Sequence, residues 1–234
     1  MRLPLCVDLD GTLIRTDLLY ETLLAALRRR PWIVLALPFW LLAGRAHLKA
    51  RLVDAAGDGV DIAALPLTED LVAYLQTEKQ AGRRIELVSA SDRRVVDQVA
   101  ARVGVFDAVF GSDGDTNLKG PVKARALVER HPDGFVYAGD ARADLAVWER
   151  AAGAIPVNAA LARRDEVAAR APIETEFGTS PRLGRALFKA LRPHQWAKNA
   201  LVLLPLLLTR SYELPTVLVA ALATIALFSL AASG

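Results

Sequence analysis

Residues 5–12 read Leu5-Cys6-Val7-Asp8-Leu9-Asp10-Gly11-Thr12, with Leu3 and Pro4 extending the apolar run on the N-terminal side. A short, continuously apolar segment that ends in polar residues is the pattern of a strand buried on both faces, as in a parallel sheet. Two carboxylates two residues apart at its tip repel one another, so something at that tip must compensate.

The rest of the chain repeats the pattern. Apolar runs at 84–91 (RIELVSAS), 107–112 (DAVFGS), 134–140 (GFVYAGD) and 153–158 (GAIPVN) predict further buried strands, and helical spacing falls at 92–103, 121–131 and 142–152. Strands alternating with helices predict an α/β fold: a doubly wound, Rossmann-like parallel sheet of about five strands with right-handed crossovers. Ligands of such sheets bind beyond the carboxyl ends of the strands. Asp8 and Asp10, Ser89 and Asp140 are all expected there.

Between the first two strands lies an insertion too long for a simple crossover, expected as a helical cap over about 14–81. Its segment Pro31–Gly44, PWIVLALPFWLLAG, is too short to span a bilayer and contains Pro38. It admits two readings, a buried cap helix or an interfacial helix carrying Trp32, Phe39 and Trp40 beside Arg28–Arg30.

Composition narrows the chemistry. Of the 234 residues, 53% are hydrophobic, one is cysteine and three are histidine. The single Cys6 excludes a disulfide framework and suits a reducing compartment, and the separated His47, His131 and His194 lack zinc-ligand spacing. A metal here is expected to be a hard cation held by oxygen.

The C-terminal part differs in character. The stretch 178–199 holds Arg182, Arg185, Lys189, Arg192 and Lys198 with no acid, and two apolar runs follow, 200–208 and 214–231. The second is long enough to be a transmembrane candidate. The basic stretch then reads as a positive-inside, juxtamembrane flank rather than a nucleic-acid patch, since its aromatics do not interleave the charges in a way that would stack bases. The expected division is 1–175 as the α/β domain, 176–199 as a basic linker and 200–234 as a partial all-α transmembrane region. The N-terminal domain would face the cytoplasm.

Four pieces carry chemistry in the α/β part: Asp8-Leu9-Asp10-Gly11-Thr12, Ser89, a lysine in NLKGPVKARAL (Lys119 or Lys123), and Gly139-Asp140 with Asp144. Each alone is weak. In this order on a parallel α/β pattern they point to phosphoryl transfer, in which a carboxylate attacks phosphorus while cations and donors surround the spreading negative charge. Magnesium, which prefers oxygen ligands, suits such a carboxylate cluster.

With these motifs, residues 1–158 resemble the haloacid dehalogenase superfamily of phosphohydrolases. The resemblance implies Asp8 as nucleophile and Mg²⁺ ligand, and Asp10 as general acid and then base with its carbonyl on the metal. It further implies Ser89 and a lysine on the phosphate, Asp140 on the metal and Asp144 ordering the metal shell. Thr12 admits two readings, a cap on the chain as it leaves the strand or an auxiliary phosphate contact. An aspartate at position 10 favours phosphatase over dehalogenase chemistry. The helical insertion resembles the family's helical cap.

A second resemblance rests on RPHQWAKN within residues 189–234, which is similar to the entry to the first membrane helix of UbiA-type prenyltransferases, especially the polyprenyl-phosphate phosphoribosyltransferase branch. The Asn-Asp-rich metal motif of that family is not in this sequence. The expectation is therefore a fusion whose transferase body is missing here, with transfer by this chain alone disfavoured. Together the two resemblances imply a membrane-tethered, Mg²⁺-dependent phosphatase acting on a small-molecule or lipid-linked sugar phosphate. The alternatives are a transferase whose N-terminal domain is accessory, and a binding module with a decayed site.

Overall fold

The computed structural model describes residues 2–113 and 118–178. Five strands, β1 (Leu5–Val7), β2 (Ile85–Asp92), β3 (Ala108–Ser112), β4 (Val136–Gly139) and β5 (Gly153–Pro156), form one sheet in the order β3-β2-β1-β4-β5, and every pairing is parallel. The expected five-stranded, doubly wound sheet is present. Strand order reverses at β1, so the crevice between β1 and β4 is the topological switch point where such sheets bind ligands.

Side chains alternate across the sheet. Leu5, Val7 and Leu87 point to a core shared with Leu71 and Leu75 of α4 (Glu69–Gln80) and Val95, Val96 and Val99 of α5 (Arg93–Val103). Cys6, Val88 and Tyr137 face the opposite core, with Ala124 and Leu127 of α6 (Pro121–Arg130), Trp148 of α7 (Leu145–Trp148) and Val167 of α8 (Arg164–Ala168). Burial on both faces is why these strands are apolar without interruption.

The insertion after β1 folds as helices: α1 (Leu18–Arg29), a 3₁₀ turn at Pro31–Leu35, α2 (Leu37–Leu42) and α3 (Arg45–Ala56). The Asp17 side chain caps α1 by accepting from the Leu19 N–H at 2.8 Å, and Pro31 follows its end. These helices close a small core of their own from Ala25, Ala26, Ile33, Leu52, Ala55 and Ala56. Helix α4, expected within the insertion's 14–81 range, instead packs in the sheet's core.

Two expectations change. The 31–44 segment is not a buried helix: of its 3₁₀ turn only Ile33 is buried, and α2 buries none of its six residues. The helix expected over 142–152 becomes a 3₁₀ turn, Arg142–Asp144, and a single turn of α-helix, because Asp144 folds back to accept from the Asp140 and Ala141 N–H groups at 3.2 and 3.0 Å. Among the described residues, no helix is long and apolar enough to cross a membrane. The basic stretch and the runs 200–208 and 214–231 lie outside the described residues.

Candidate active site

The chain leaves β1 at Asp8, whose N–H still bonds the Ala138 carbonyl of β4 at 2.9 Å, and then turns sharply through Asp10-Gly11-Thr12. Bonds from the Ile14 N–H to the Leu9 carbonyl and from the Gly11 N–H to the Thr16 carbonyl, 3.0 and 3.1 Å, close the loop. Gly11 has φ +76°, and a Cβ there would lie 2.3 Å from Asp140 Oδ2. Glycine is needed both for the backbone turn and for the close approach of Asp140.

The turn presents Asp8 to Asp140 and Asp144, which arrive from the end of β4. One carboxylate oxygen from each of the three lies within 4.8 Å of the others. Lys123, in the first turn of α6, donates to Asp8 Oδ1 at 2.7 Å and to the Tyr137 hydroxyl at 2.9 Å; that hydroxyl donates to Asp144 Oδ1 at 3.0 Å. Lys123 and Asp144 are buried, so each charge depends on these partners.

Electrostatics follow the crowding. Burial, with added repulsion from Asp144 and Asp10, pushes Asp8 up to about 8 despite the pull of Lys123. Burial and the neighbouring Asp144 push Asp140 up to about 7. Burial pulls Lys123 down, but Asp8 and Asp144 more than offset this and leave it raised. An all-oxygen trio in which burial and crowding raise both Asp8 and Asp140 fits a hard divalent cation, so these two are suited to hold Mg²⁺. Asp144, already accepting from Tyr137 and two backbone N–H groups, is placed to orient the trio.

Asp10 points elsewhere. Its Oδ1 accepts from the Leu18 N–H at 2.7 Å, and its Oδ2 from the Ser91 and Ser89 hydroxyls at 2.7 and 3.2 Å. Burial raises its carboxyl against the pull of these donors. The side chain is therefore set apart from the trio, which leaves its backbone carbonyl as the expected route to a metal.

Above these residues lies a cavity of about 550 Å³. Asp8, Asp10, Lys123, Asp140 and Asp144 line it, and so does Lys119, which is exposed where Lys123 is buried. Ser89 and Thr12 are fully buried and do not line it. Ser89 accepts from the Ser91 N–H at 2.9 Å, and the Thr12 hydroxyl donates to Asp140 Oδ1 at 3.3 Å. In the positions expected to meet phosphate, both instead brace carboxylates. Arg94, itself exposed, ties the core to the cap by donating to Asp92 and to Asp54 of α3.

Other participants escaped sequence reasoning. Ser91, two residues after Ser89, lines the cavity, and period-two spacing could have flagged it. Tyr137 looked like one more apolar strand residue. The Asn158 amide donates to the Gly11 carbonyl at 2.6 Å and braces the turn from beyond β5, 147 residues away in sequence. From the cap, Leu41, Arg45, Leu48 and Lys49 form the cavity's far wall, a placement no local pattern announces.

A second trio among the described residues, Cys6, Glu86 and His131, also has ligating atoms within 4.8 Å of one another. Glu86 is already satisfied by Arg84, Arg130 and His131, and burial raises the Cys6 thiol well above its usual range, so this trio is structural.

The comparisons agree with this geometry. The haloacid dehalogenase-like hydrolase family model matches residues 5–149. An uncharacterized protein of Sinorhizobium fredii, y4nM, is 37% identical over 211 residues, covering 89% of this chain; the chain spans 40% of that relative's length. Among solved structures, a protein of unknown function from Bordetella pertussis Tohama I has TM-score 0.56 at 18% identity, over 74% of this chain and 98% of that one. A phosphoserine phosphatase captured as a phospho-aspartyl intermediate analogue has TM-score 0.52 at 16% identity, over 80% and 98%. These two likenesses concern the fold. The chain belongs to the haloacid dehalogenase-like hydrolases, and the expected enzyme class, a phosphatase-type hydrolase, agrees with that membership.

Proposed function

From membership in the haloacid dehalogenase-like hydrolases, we propose that this domain is a Mg²⁺-dependent phosphomonoesterase working through an aspartyl-phosphate on Asp8. The observation that carries the reading is the meeting of Asp8 with Lys123 at 2.7 Å and with Asp140 and Asp144 at one end of a cap-roofed cavity. Asp8 Oδ attacks phosphorus, the ester P–O bond breaks, and the Asp10 carboxyl gives its proton to the departing oxygen. Asp10, then ionised, takes a proton from the water that attacks the phosphoryl-aspartate, releasing phosphate and restoring both side chains. Lys123 holds positive charge beside the phosphoryl oxygens throughout. Bound Mg²⁺ would neutralise charge on those oxygens, with Asp8 and Asp140 as its side-chain ligands and Asp144 orienting them.

The substrate reading is narrower. A phosphate carried on a lipid-linked sugar, met by an enzyme tethered at a membrane with this domain in the cytoplasm, is supported by the apolar Leu19, Leu41 and Leu48 in the cavity wall and by the sequence character of 176–234. A second reading is an accessory domain of a longer UbiA-type transferase, for which the relative from Sinorhizobium fredii supports only the greater length. That protein is much longer than this chain, and 211 matched residues necessarily reach past the expected 1–175 α/β domain.

Hydrolysis of a chromogenic phosphomonoester, with and without Mg²⁺, tests the catalytic reading. Metal-dependent turnover that Asp8→Asn abolishes supports it, and metal-independent or Asp8-independent turnover overturns it. A preference for the ester on a polyprenyl-linked sugar in micelles over the soluble sugar phosphate supports the lipid reading; the reverse preference defeats that part alone.

A further inference from the structure

Among the described residues, nine large hydrophobic side chains are exposed, and six of them fall between 32 and 42: Trp32, Val34, Leu35, Phe39, Leu41 and Leu42. Leu35, Phe39 and Leu42 are 75%, 71% and 85% exposed. The segment is not loose, because Ile33 is buried in the cap core, Leu37 and Trp40 pack against it, and the Arg51 guanidinium lies over the Trp40 ring. A short segment thus fixed by three residues, with most of its apolar surface turned to water, marks an interaction face rather than a core element.

Charge identifies the partner. From Thr22 to Val53 the chain holds no acidic residue and six basic ones, Arg28, Arg29, Arg30, Arg45, Lys49 and Arg51. Arg28 and Arg30 lie just before the apolar segment and Arg45 just after it; all three are exposed. Aromatic and aliphatic side chains flanked by arginines fit the headgroup boundary of an anionic bilayer, where apolar groups insert and cations meet lipid phosphates.

Position connects this face to the site. Leu41 is 52% exposed and lines the catalytic cavity, as does Arg45. We propose that Trp32–Leu42 is a membrane-docking face of the cap that seats on anionic lipid and turns the cavity mouth toward the bilayer. Docking itself is independent of the catalytic reading; only its consequence, delivery of a lipid-borne ester to Asp8, rests on that reading.

The test uses the full chain on vesicles of phosphatidylglycerol and phosphatidylcholine. An environment-sensitive fluorophore is placed at Leu35→Cys or Leu42→Cys, with Val128→Cys on α6 as the control; the native Cys6 is fully buried. The apolar C-terminal run can hold every variant on the vesicle, so the reading is the difference between positions. Labels at 35 and 42 should shift to the blue and lose most of their emission to lipid-borne nitroxides, more weakly without phosphatidylglycerol or in high salt, while the label at 128 does neither. Equal behaviour at 35, 42 and 128 overturns the proposal. So does protection of 35 and 42 without vesicles, which assigns the face to a second copy if it rises with protein concentration and to the chain's own apolar run if it does not. No substrate is present, so either outcome leaves the phosphatase reading to its own test.

Discussion

Lys123 Nζ lies 2.7 Å from Asp8 Oδ1 and passes a second hydrogen bond through Tyr137 to Asp144, so one buried cation serves two buried carboxylates. Lys119, four residues earlier, lines the same cavity from an exposed position. Removing the buried member of a paired set strands its partners at a cost of ~3–5 kcal/mol. Urea unfolding without metal should therefore find Lys123→Ala destabilised on that scale and Lys119→Ala within about 0.5 kcal/mol of the parent. Turnover should be lost in the first and retained in large part in the second.

Tyr137→Phe isolates the relay. It keeps the ring in the core beside Trp148 and removes only the hydroxyl between Lys123 and Asp144. A cost of about 1–3 kcal/mol is expected in the same unfolding measurement, the price of leaving buried charges short of one hydrogen bond. Because Asp144 orients the carboxylate trio, half-maximal Mg²⁺ concentration for turnover should rise as well, by about 10-fold or more.

The metal reading has its own check. Asp140→Asn keeps the shape beside Gly11 but weakens the oxygen donor set, and should lower Mg²⁺ affinity by about 10–100-fold in calorimetric titration. Stripping divalent cations with a chelator should abolish turnover, and Mg²⁺ should restore it. Gly11→Ala should give a related defect with added instability, since its Cβ would collide with the Asp140 carboxylate.

Much of this was legible in the sequence, for a physical reason: buried parallel strands must be continuously apolar, so polar residues stand out where each one ends. Asp8, Ser89 and Asp140 were located in this way, with the sheet that carries them. Ser91 escaped notice because its hydroxyl meets Asp10 across the fold, from 81 residues away in sequence. The turn at Asp144 hid inside an apparently helical stretch, since an aspartate that bonds its own upstream N–H groups shortens the helix without altering its periodicity. Arg45 and Lys49 reach the cavity only through the packing of the cap, and the 31–42 segment is as apolar in sequence as a core helix while standing largely in water.

Acid should unfold the domain partly through Glu86, which is fully buried and receives bonds from Arg84, Arg130 and His131 at 2.7, 2.9 and 3.0 Å. Burial alone would lift its carboxyl, but these partners hold it below the usual value. A depressed folded-state value means the contribution is complete above the unfolded carboxylate range near ~4.3 and is lost as pH falls through the lower folded value. Glu86→Gln should cost about 1.5–3 kcal/mol at neutral pH and flatten the fall in stability between about pH 5 and pH 3.

The covalent step on Asp8 is tested most directly by quenching the enzyme in acid within the first turnovers of a phosphomonoester and mapping the phosphoryl group by peptide mass spectrometry. The predicted result is a phosphoryl group on Asp8 in the peptide that carries LCVDLDGT, formed only with Mg²⁺ and missing from Asp8→Asn. Phosphate release with the phosphoryl group on another residue, or undiminished in Asp8→Asn, would contradict it.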